Sequence, residues 1–419
     1  REHGIDRKIR YGHRVISASW SSTDAAWTVS IERGPEREPL QLSCSFLFGC
    51  WGYYKYDRGY TPEFAGTERF GGQIVHPQHW PSDIDYAGKR VIVIGSGATA
   101  VTLVPALAKT AAHVTMLQRS PTYIVALPAV DAFARSLQRI LPRAIAYKLT
   151  RLKNVVRGLF FFQLSRRIPA QVKRKLLEDV RAALGPEVDV DRHFTPSYNP
   201  WDQRICVVPD GDLFDAIRNG SASIVTDHIE TFTERGIALR SGTELEADII
   251  ITATGLVLEV LGGLSLTVDG RAIDLSRQFA YKGMMFSDVP NLASSFGYTN
   301  ASWTLKCDLT CSYVCRLLNH LDRVGLRQCT PRVRTTIDPQ PWLDFSSGYV
   351  QRSIAKFPRQ GTKRPWRAYQ NYLLDLLAFK FAQVDDGAME FSNPIPKSRQ
   401  RVPASESRTA KAAPGAHPF

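Results

Sequence analysis

Gly95-Ser-Gly-Ala-Thr-Ala100 fits G-x-G-x-x-G/A, a turn whose glycines let the backbone come close to a pyrophosphate. On its own the pattern is weak. Here it follows the apolar run Arg90-Val-Ile-Val-Ile94, opens the helical stretch Thr99 to Thr110, broken only by Pro105, and precedes the apolar run His113-Val-Thr-Met-Leu117. That strand–turn–helix–strand order is the context the motif needs. Gly95 permits the tight turn, Gly97 the close approach, and Ala100 close packing of helix on strand. The turn and first helical residues, Ser96, Gly97, Ala98, Thr99, Ala100 and Val101, would offer N–H groups and a positive dipole end to phosphates. Sites for NAD place a carboxylate at the end of the second strand, roughly 20 residues on, to bind the ribose 2′-OH. This chain has Gln118, Arg119 and Ser120 there, with Arg119 24 positions after Gly95 (119 − 95). A guanidinium suits a 2′-phosphate by charge and geometry, and a carboxylate would repel it. The pattern points to NADPH.

Arg204 is a second candidate. It follows the turn Asn199-Pro-Trp-Asp202 and precedes the apolar run Ile205-Cys-Val-Val208, a rim position able to reach a pocket. The alternative is a salt bridge to Asp202 or Asp210. Upstream, Phe70, Gly72, His76, Trp80 and Pro81 satisfy F-x-G-x-x-x-H-x-x-x-W-P, ending 14 residues before Gly95 (95 − 81). A loop histidine taken alone is structural, and His76 is not read as an acid or base; His79 is expected at the surface.

The elements that would position these groups show in the hydrophobic pattern. Arg14–Trp20, Ala26–Glu32 and Leu40–Phe48 read as a three-stranded meander, the last strand becoming fully apolar and ending at Gly49-Cys-Trp-Gly52. Residues 131–185 are helical in composition, and Asp191 to Trp201 is turn-rich. Strand signals return at Ser223–Thr226, Ile237–Leu239 and Ala247–Gly255. Helices are expected at Asp308–Leu326 and Tyr369–Lys380, and disorder from Pro394 to the end.

Bulk properties exclude several classes. No apolar run approaches the ~18 residues that span a bilayer. The net charge is +13 with pI near 9.5, but no nucleic-acid recognition motif accompanies it, and nucleic acid is not an expected partner. Basic residues concentrate between Arg135 and Lys175. Together with Leu159-Phe-Phe-Phe162 they suit peripheral contact with an anionic membrane. The seven cysteines include no C-x-x-C pair, which argues against a flavin disulfide reductase and for a reducing, cytoplasmic setting. Cys307, Cys311 and Cys315 fall on one helical stripe, expected to be a packed face rather than a metal site.

The Phe70–Pro81 pattern beside the glycine turn resembles the fingerprint of Baeyer–Villiger monooxygenases. The likeness extends through Val93–Thr102, Met116–Ile124, Tyr198–Arg204, Ala253–Gly255 and Gly297–Leu305, from Gly4 to about Phe391. It is nearest to the mycobacterial ethionamide-activating branch. The resemblance implies an α/β fold with two dinucleotide-binding, Rossmann-like domains. Residues 1–69 and 251–391 would belong to an FAD domain, 70–88 to the fingerprint linker, 89–250 to an NADP domain with helical insertion 131–185, and 392–419 to a tail. It implies FAD and NADPH as cofactors, O₂ as co-substrate, and a peroxyflavin that oxygenates a ketone or a sulfur compound. Arg204 aligns with the family's catalytic arginine, which keeps the peroxide anionic. Val15 resembles the valine whose backbone meets the FAD adenine. Tyr298, Asn300 and Trp303 resemble the segment closing over the isoalloxazine ring, and His76 with Trp80 and Pro81 would help gate closure.

Two departures stand out. The chain's one glycine fingerprint is the nicotinamide one, and only fourteen residues precede Val15, so the FAD domain is expected to be incomplete at its N-terminus. Trp51 stands where that branch carries a small residue, and an indole there would obstruct a close dinucleotide approach. The alternative reading is therefore a truncated, catalytically inactive NADP-binding remnant. The substrate and the oligomeric state are left open.

Overall fold

The continuous apolar runs around the glycine turn become the inner strands of a parallel sheet. A computed structural model describes residues 3–394, so the expected disorder of the tail falls, from 395 onward, outside the described residues. The sheet runs in the order Ala222–Thr226, His113–Gln118, Arg90–Ile94, Ile249–Thr252, Gln73–Val75. Its neighbours all pair in parallel. Such strands are covered on both faces and therefore carry little polar alternation. Val91 and Val93 pack with Val104 of the helix Ala98–Leu107 on one side, while Ile92 and Ile94 pack with Phe232 and Ile237 on the other.

The edge strand of this sheet comes from the fingerprint. Phe70 is buried edge-on against Phe232 at 6.5 Å, and a methyl added to Gly72 would stand 2.3 Å from the Asp248 carbonyl oxygen. Two of the fingerprint positions are thus fixed by packing: a ring that anchors and a glycine that lets two backbones touch.

The N-terminal meander forms as expected from His13–Ser21, Ala26–Arg33 and Glu38–Cys44, all antiparallel. It is extended by Ser265–Val268, parallel to the first strand, and by Arg271–Ala272. One expectation needs correction. Leu40–Phe48 is not a single strand: it breaks after Cys44, and Leu47–Gly49 leaves the meander to pair in parallel with Leu292–Ser294. Asn291 causes the break. Its amide donates to the Ser45 and Arg327 carbonyls, its side-chain oxygen accepts from the Cys329 N–H, and its own carbonyl accepts from the Trp27 indole. It adopts a left-handed φ of 46°, which asparagine tolerates better than most residues.

The region 131–185 is helical, as Ala132–Ile140, Arg143–Arg167 and Pro169–Leu184. The helix expected from Asp308 begins five residues earlier (308 − 303), at Trp303, and runs to Val324. The cysteine stripe on it is the second correction: Cys311 and Cys315 are exposed and Cys307 is half-buried, so this face is not packed. The helix buries Leu309, Tyr313, Leu317 and Leu321 instead. The i, i+4, i+8 spacing identified a shared face but carried no information about which side the rest of the protein covers.

Candidate functional site

The glycine turn is open. Gly95 has φ +138°, and a methyl on it would lie 2.3 Å from the Ala253 carbonyl oxygen, so the turn is pressed against the Ala253-Thr-Gly255 segment. A methyl on Gly97 would meet nothing within 4 Å. Gly97 is the N-cap of the helix Ala98–Leu107 and makes no side-chain cap, which leaves N–H groups of the first turn facing outward. The Ser96 hydroxyl donates to the Ser120 carbonyl at 2.9 Å, joining the turn to the end of the neighbouring strand. Arg119 is exposed and has no ion-pair partner among the described residues. An open turn, an uncapped helix start and a guanidinium without an ion-pair partner among the described residues fit a nicotinamide dinucleotide.

Two predicted contacts take different places. The Gln118 side chain is buried, and its amide donates to the His193 carbonyl at 2.7 Å and to the Thr226 hydroxyl at 2.9 Å. Its donors serve the core. Val101 is buried, and its N–H donates to the Gly97 carbonyl. Ala100 is fully buried, in keeping with a close-packing role.

The second cluster surrounds Arg204. A small cavity of about 10 Å³ is lined by Tyr53, Arg204, Phe296, Trp303 and Tyr349, among others. Arg204 Nη2 lies 3.4 Å from the Tyr53 hydroxyl, and the Tyr349 hydroxyl is also in reach. Burial works against its charge, but Tyr53 and Tyr349 counter it and the pKa stays above the ordinary value. The proposed alternative partners are engaged elsewhere: Asp202 pairs with Arg166 at 2.8 Å, and Asp210 accepts from the Ala129 N–H at 3.0 Å. Arg204 is therefore a half-buried cation without a carboxylate, and its Nε is buried with no hydrogen-bond partner.

Aromatic rings pack round it. Tyr53 and Trp303 are stacked at 5.0 Å and 16°, and Phe296 lies 5.0 Å from Trp303. Of the residues expected to close over a flavin, Trp303 lines this pocket. Tyr298 turns inward, where its hydroxyl donates to Asp375 at 2.8 Å beside Lys306, itself 2.6 Å from the same carboxylate. Asn300 donates to the Gln370 carbonyl and leaves its Oδ1 buried without a partner. Val15 lies apart from the pocket, half-exposed on the first strand of the meander.

The orphaned Arg204 Nε, with the flanking rings, suits the polar edge and flat face of an isoalloxazine. The volume is another matter: about 10 Å³ holds roughly one water. The Trp51 indole lies directly over Gly49, where a methyl would meet its ring at 2.1 Å.

His76 lies beside the Gly255 backbone, its Nδ1 accepting from the Gln78 N–H at 3.2 Å and its Nε2 buried without a partner among the described residues. His79 is exposed and bonded to the Asp57 carbonyl. The Trp80 ring, partly exposed, packs edge-on to Tyr86 at 6.4 Å, with Pro81 following.

Tyr53, Phe296 and Tyr349 escaped the sequence reading, as did Arg352, whose guanidinium sits 3.5 Å over the Tyr60 ring. Only Tyr53 carried a signal, as part of a Tyr- and Gly-rich loop.

Residues 13–261 match the family described as flavin-binding monooxygenase-like. The FAD-containing monooxygenase EthA of Mycobacterium tuberculosis is 51% identical over 392 residues, covering 93% of this chain and 80% of the relative. A probable FAD-binding monooxygenase, AlmA of Acinetobacter baylyi, is 47% identical over 393 residues, covering 93% and 78%. Among solved structures, an oxidized steroid monooxygenase bound to NADP shares the fold with TM-score 0.69 and 22% identity over 94% of this chain and 83% of that one. An open form of cyclohexanone monooxygenase gives TM-score 0.68 and 17% identity, covering 94% and 82%. The α/β architecture is thus that of flavin monooxygenases with Rossmann-type domains, and this chain belongs to the flavin-binding monooxygenase-like family.

Proposed function

We propose that this protein is a Baeyer–Villiger-type monooxygenase that uses NADPH, FAD and O₂ to oxygenate a small ketone or sulfur-containing molecule. Bound flavin would supply electron transfer and oxygen activation. The chain's own residues do the rest. The glycine turn would hold the pyrophosphate on helix N–H groups, and Arg119 would hold the 2′-phosphate. The Arg204 guanidinium would keep a developing oxyanion charged in a pocket that Tyr53, Phe296 and Trp303 shield from water. In this reading residues 89–250 carry the nicotinamide nucleotide, 1–69 and 251–391 the flavin, and 70–88 link them.

The observation that carries the reading is Arg204, a half-buried cation among aromatic rings with no carboxylate paired to it among the described residues. Holding a charge there is costly unless something anionic makes use of it. Arg204→Ala is expected to lower oxygenated product by more than about 100-fold while NADPH oxidation continues. Product formation at the unmodified rate would overturn the role assigned to Arg204.

One surface favours a location as well. Between residues 132 and 168 there is no acidic residue. Ile140, Leu152 and Phe160 are exposed there among Arg135, Arg139, Lys148 and Arg157. No helix among the described residues is long and apolar enough to cross a membrane. The combination suits a peripheral enzyme resting on anionic lipid from the cytoplasmic side. Co-sedimentation with phosphatidylglycerol vesicles and its absence with phosphatidylcholine is the expected result; no binding to either would remove the proposal.

A further inference from the structure

The strand order puts two arginines on opposite sides of the glycine turn. Gly95 follows the strand Arg90–Ile94, whose neighbours are His113–Gln118 and Ile249–Thr252. Arg119 ends the first neighbour. The second runs into Ala253-Thr-Gly255, and Arg352 is attached there. A methyl on Gly255, which has φ +114°, would lie 3.7 Å from Arg352 Nη2. The same guanidinium stacks on Tyr60, whose N–H donates to the Gly255 carbonyl at 3.0 Å. The turn, Gly255, Tyr60 and Arg352 are therefore joined through direct contacts, because the Ala253 carbonyl touches Gly95 in turn.

Arg352 has no ion-pair partner among the described residues, and the charge that faces it is Arg119. Burial and Arg119 both hold its pKa below the ordinary arginine value, against a favourable contribution from Tyr60. Two cations kept together without a carboxylate repel each other. The arrangement is paid for by the aromatic stack and makes sense around an anion lying between them. The short helix that presents Arg352, Gly348–Gln351, also carries Tyr349 to Arg204. One segment thus reaches both clusters.

We infer that Arg352 binds the pyrophosphate of the nicotinamide dinucleotide, closing on the glycine turn from the side opposite Arg119. This inference rests on the nicotinamide reading of the turn and assigns it a second cation with a different duty. Arg119 would read the 2′-phosphate that distinguishes NADP from NAD. Arg352 would hold the part common to both, anchored by Tyr60 and ready to carry Tyr349 with it.

The two duties separate in an equilibrium binding experiment on the full chain with ADP-ribose and 2′-phospho-ADP-ribose. Arg352→Gln is expected to weaken both ligands by the same factor, about tenfold for a lost charge-assisted contact. Arg352→Lys, which keeps the charge and gives up the planar fork, should restore part of that loss. Arg119→Ala is expected to weaken only the 2′-phosphorylated ligand. Unchanged binding of both ligands in Arg352→Gln, with wild-type binding intact, would overturn the inference and leave the nicotinamide site standing. So would a loss confined to 2′-phospho-ADP-ribose. Failure of the wild-type chain to bind either ligand would overturn the nicotinamide reading itself, and this inference with it. Arg352 is exposed, and matching melting curves of the variants and wild type would exclude misfolding as the source of any loss.

Discussion

The two clusters are built on opposite principles. Around Gly97 there is nothing within 4 Å of an added methyl, the flanking arginines have no ion-pair partner among the described residues, and the exposed groups are main-chain N–H donors fixed by a helix and three parallel strands. Around Arg204 the space is filled by stacked rings, about 10 Å³ remains, and the walls come from segments as distant as Tyr53 and Tyr349. The turn at the first site is open as it stands. The second holds room for about one water. A rigid cradle made of backbone and a closed pocket made of side chains can share one protein because the Gly348–Gln351 helix touches both.

The contrast can be tested on stability first. The helix that begins at Trp303, a wall of the closed pocket, also carries Lys306 of the buried Lys306–Asp375 pair, whose side chains are 5% and 4% exposed. Burial pushes the Lys306 pKa down and Asp375 opposes it. Asp375→Ala strands the ammonium in the core and should cost about 3–5 kcal/mol in a denaturant titration. A cost below about 1 kcal/mol would show that this wall is held by packing alone.

The open site should respond differently at its two glycines. Gly95→Ala meets both a left-handed φ and the Ala253 carbonyl, so a loss of about 1–3 kcal/mol is expected. Gly97→Ala should change stability by less than about 0.5 kcal/mol yet weaken dinucleotide binding, because the new methyl stands where a phosphate would approach. A Gly97→Ala protein that binds NADPH as tightly as wild type would break the comparison, since the opening would then not be a ligand cradle.

The smallest effect is one of pH. His193 accepts or donates at the Thr226 hydroxyl at 2.8 Å, and burial, with Arg192 nearby, holds its pKa below the usual 6.5. His76 is lowered as well, again first by burial. A depressed histidine is protonated more readily in the unfolded chain, so the fold keeps this contribution above pH 6.5 and loses it as pH falls through the lower folded value. Melting temperature should decline modestly from about pH 7.5 to about pH 5, and His193→Gln should flatten part of that slope.

The open site was also the legible one. Its strand, turn, helix and second strand are consecutive in the chain, and local spacing was enough to place Gly95 and Gly97 in the turn and Arg119 after the second strand. Even so, spacing assigned Gln118 and Val101 to the ligand, because a motif gives position and says nothing of which hydrogen bonds the core has already claimed. Arg204 was recognisable from its own neighbourhood and from resemblance, but the rings that enclose it were not. Tyr349 and Arg352 lie 145 residues (349 − 204) and 233 residues (352 − 119) from the arginines they approach. No local pattern records a contact of that range. The cysteine stripe failed for a related reason: periodicity finds a face, and only the tertiary structure decides whether it is covered.

Asn291 carries a last consequence. Its amide points two donors at carbonyl oxygens and its oxygen at an N–H, so every polar atom of the side chain is committed. Conversion to aspartate changes the shape by a single atom but turns an attraction toward Ser45 and Arg327 into repulsion between oxygens. An aspartate at this one position would therefore unfasten the meander from the Leu47–Gly49 and Leu292–Ser294 pair.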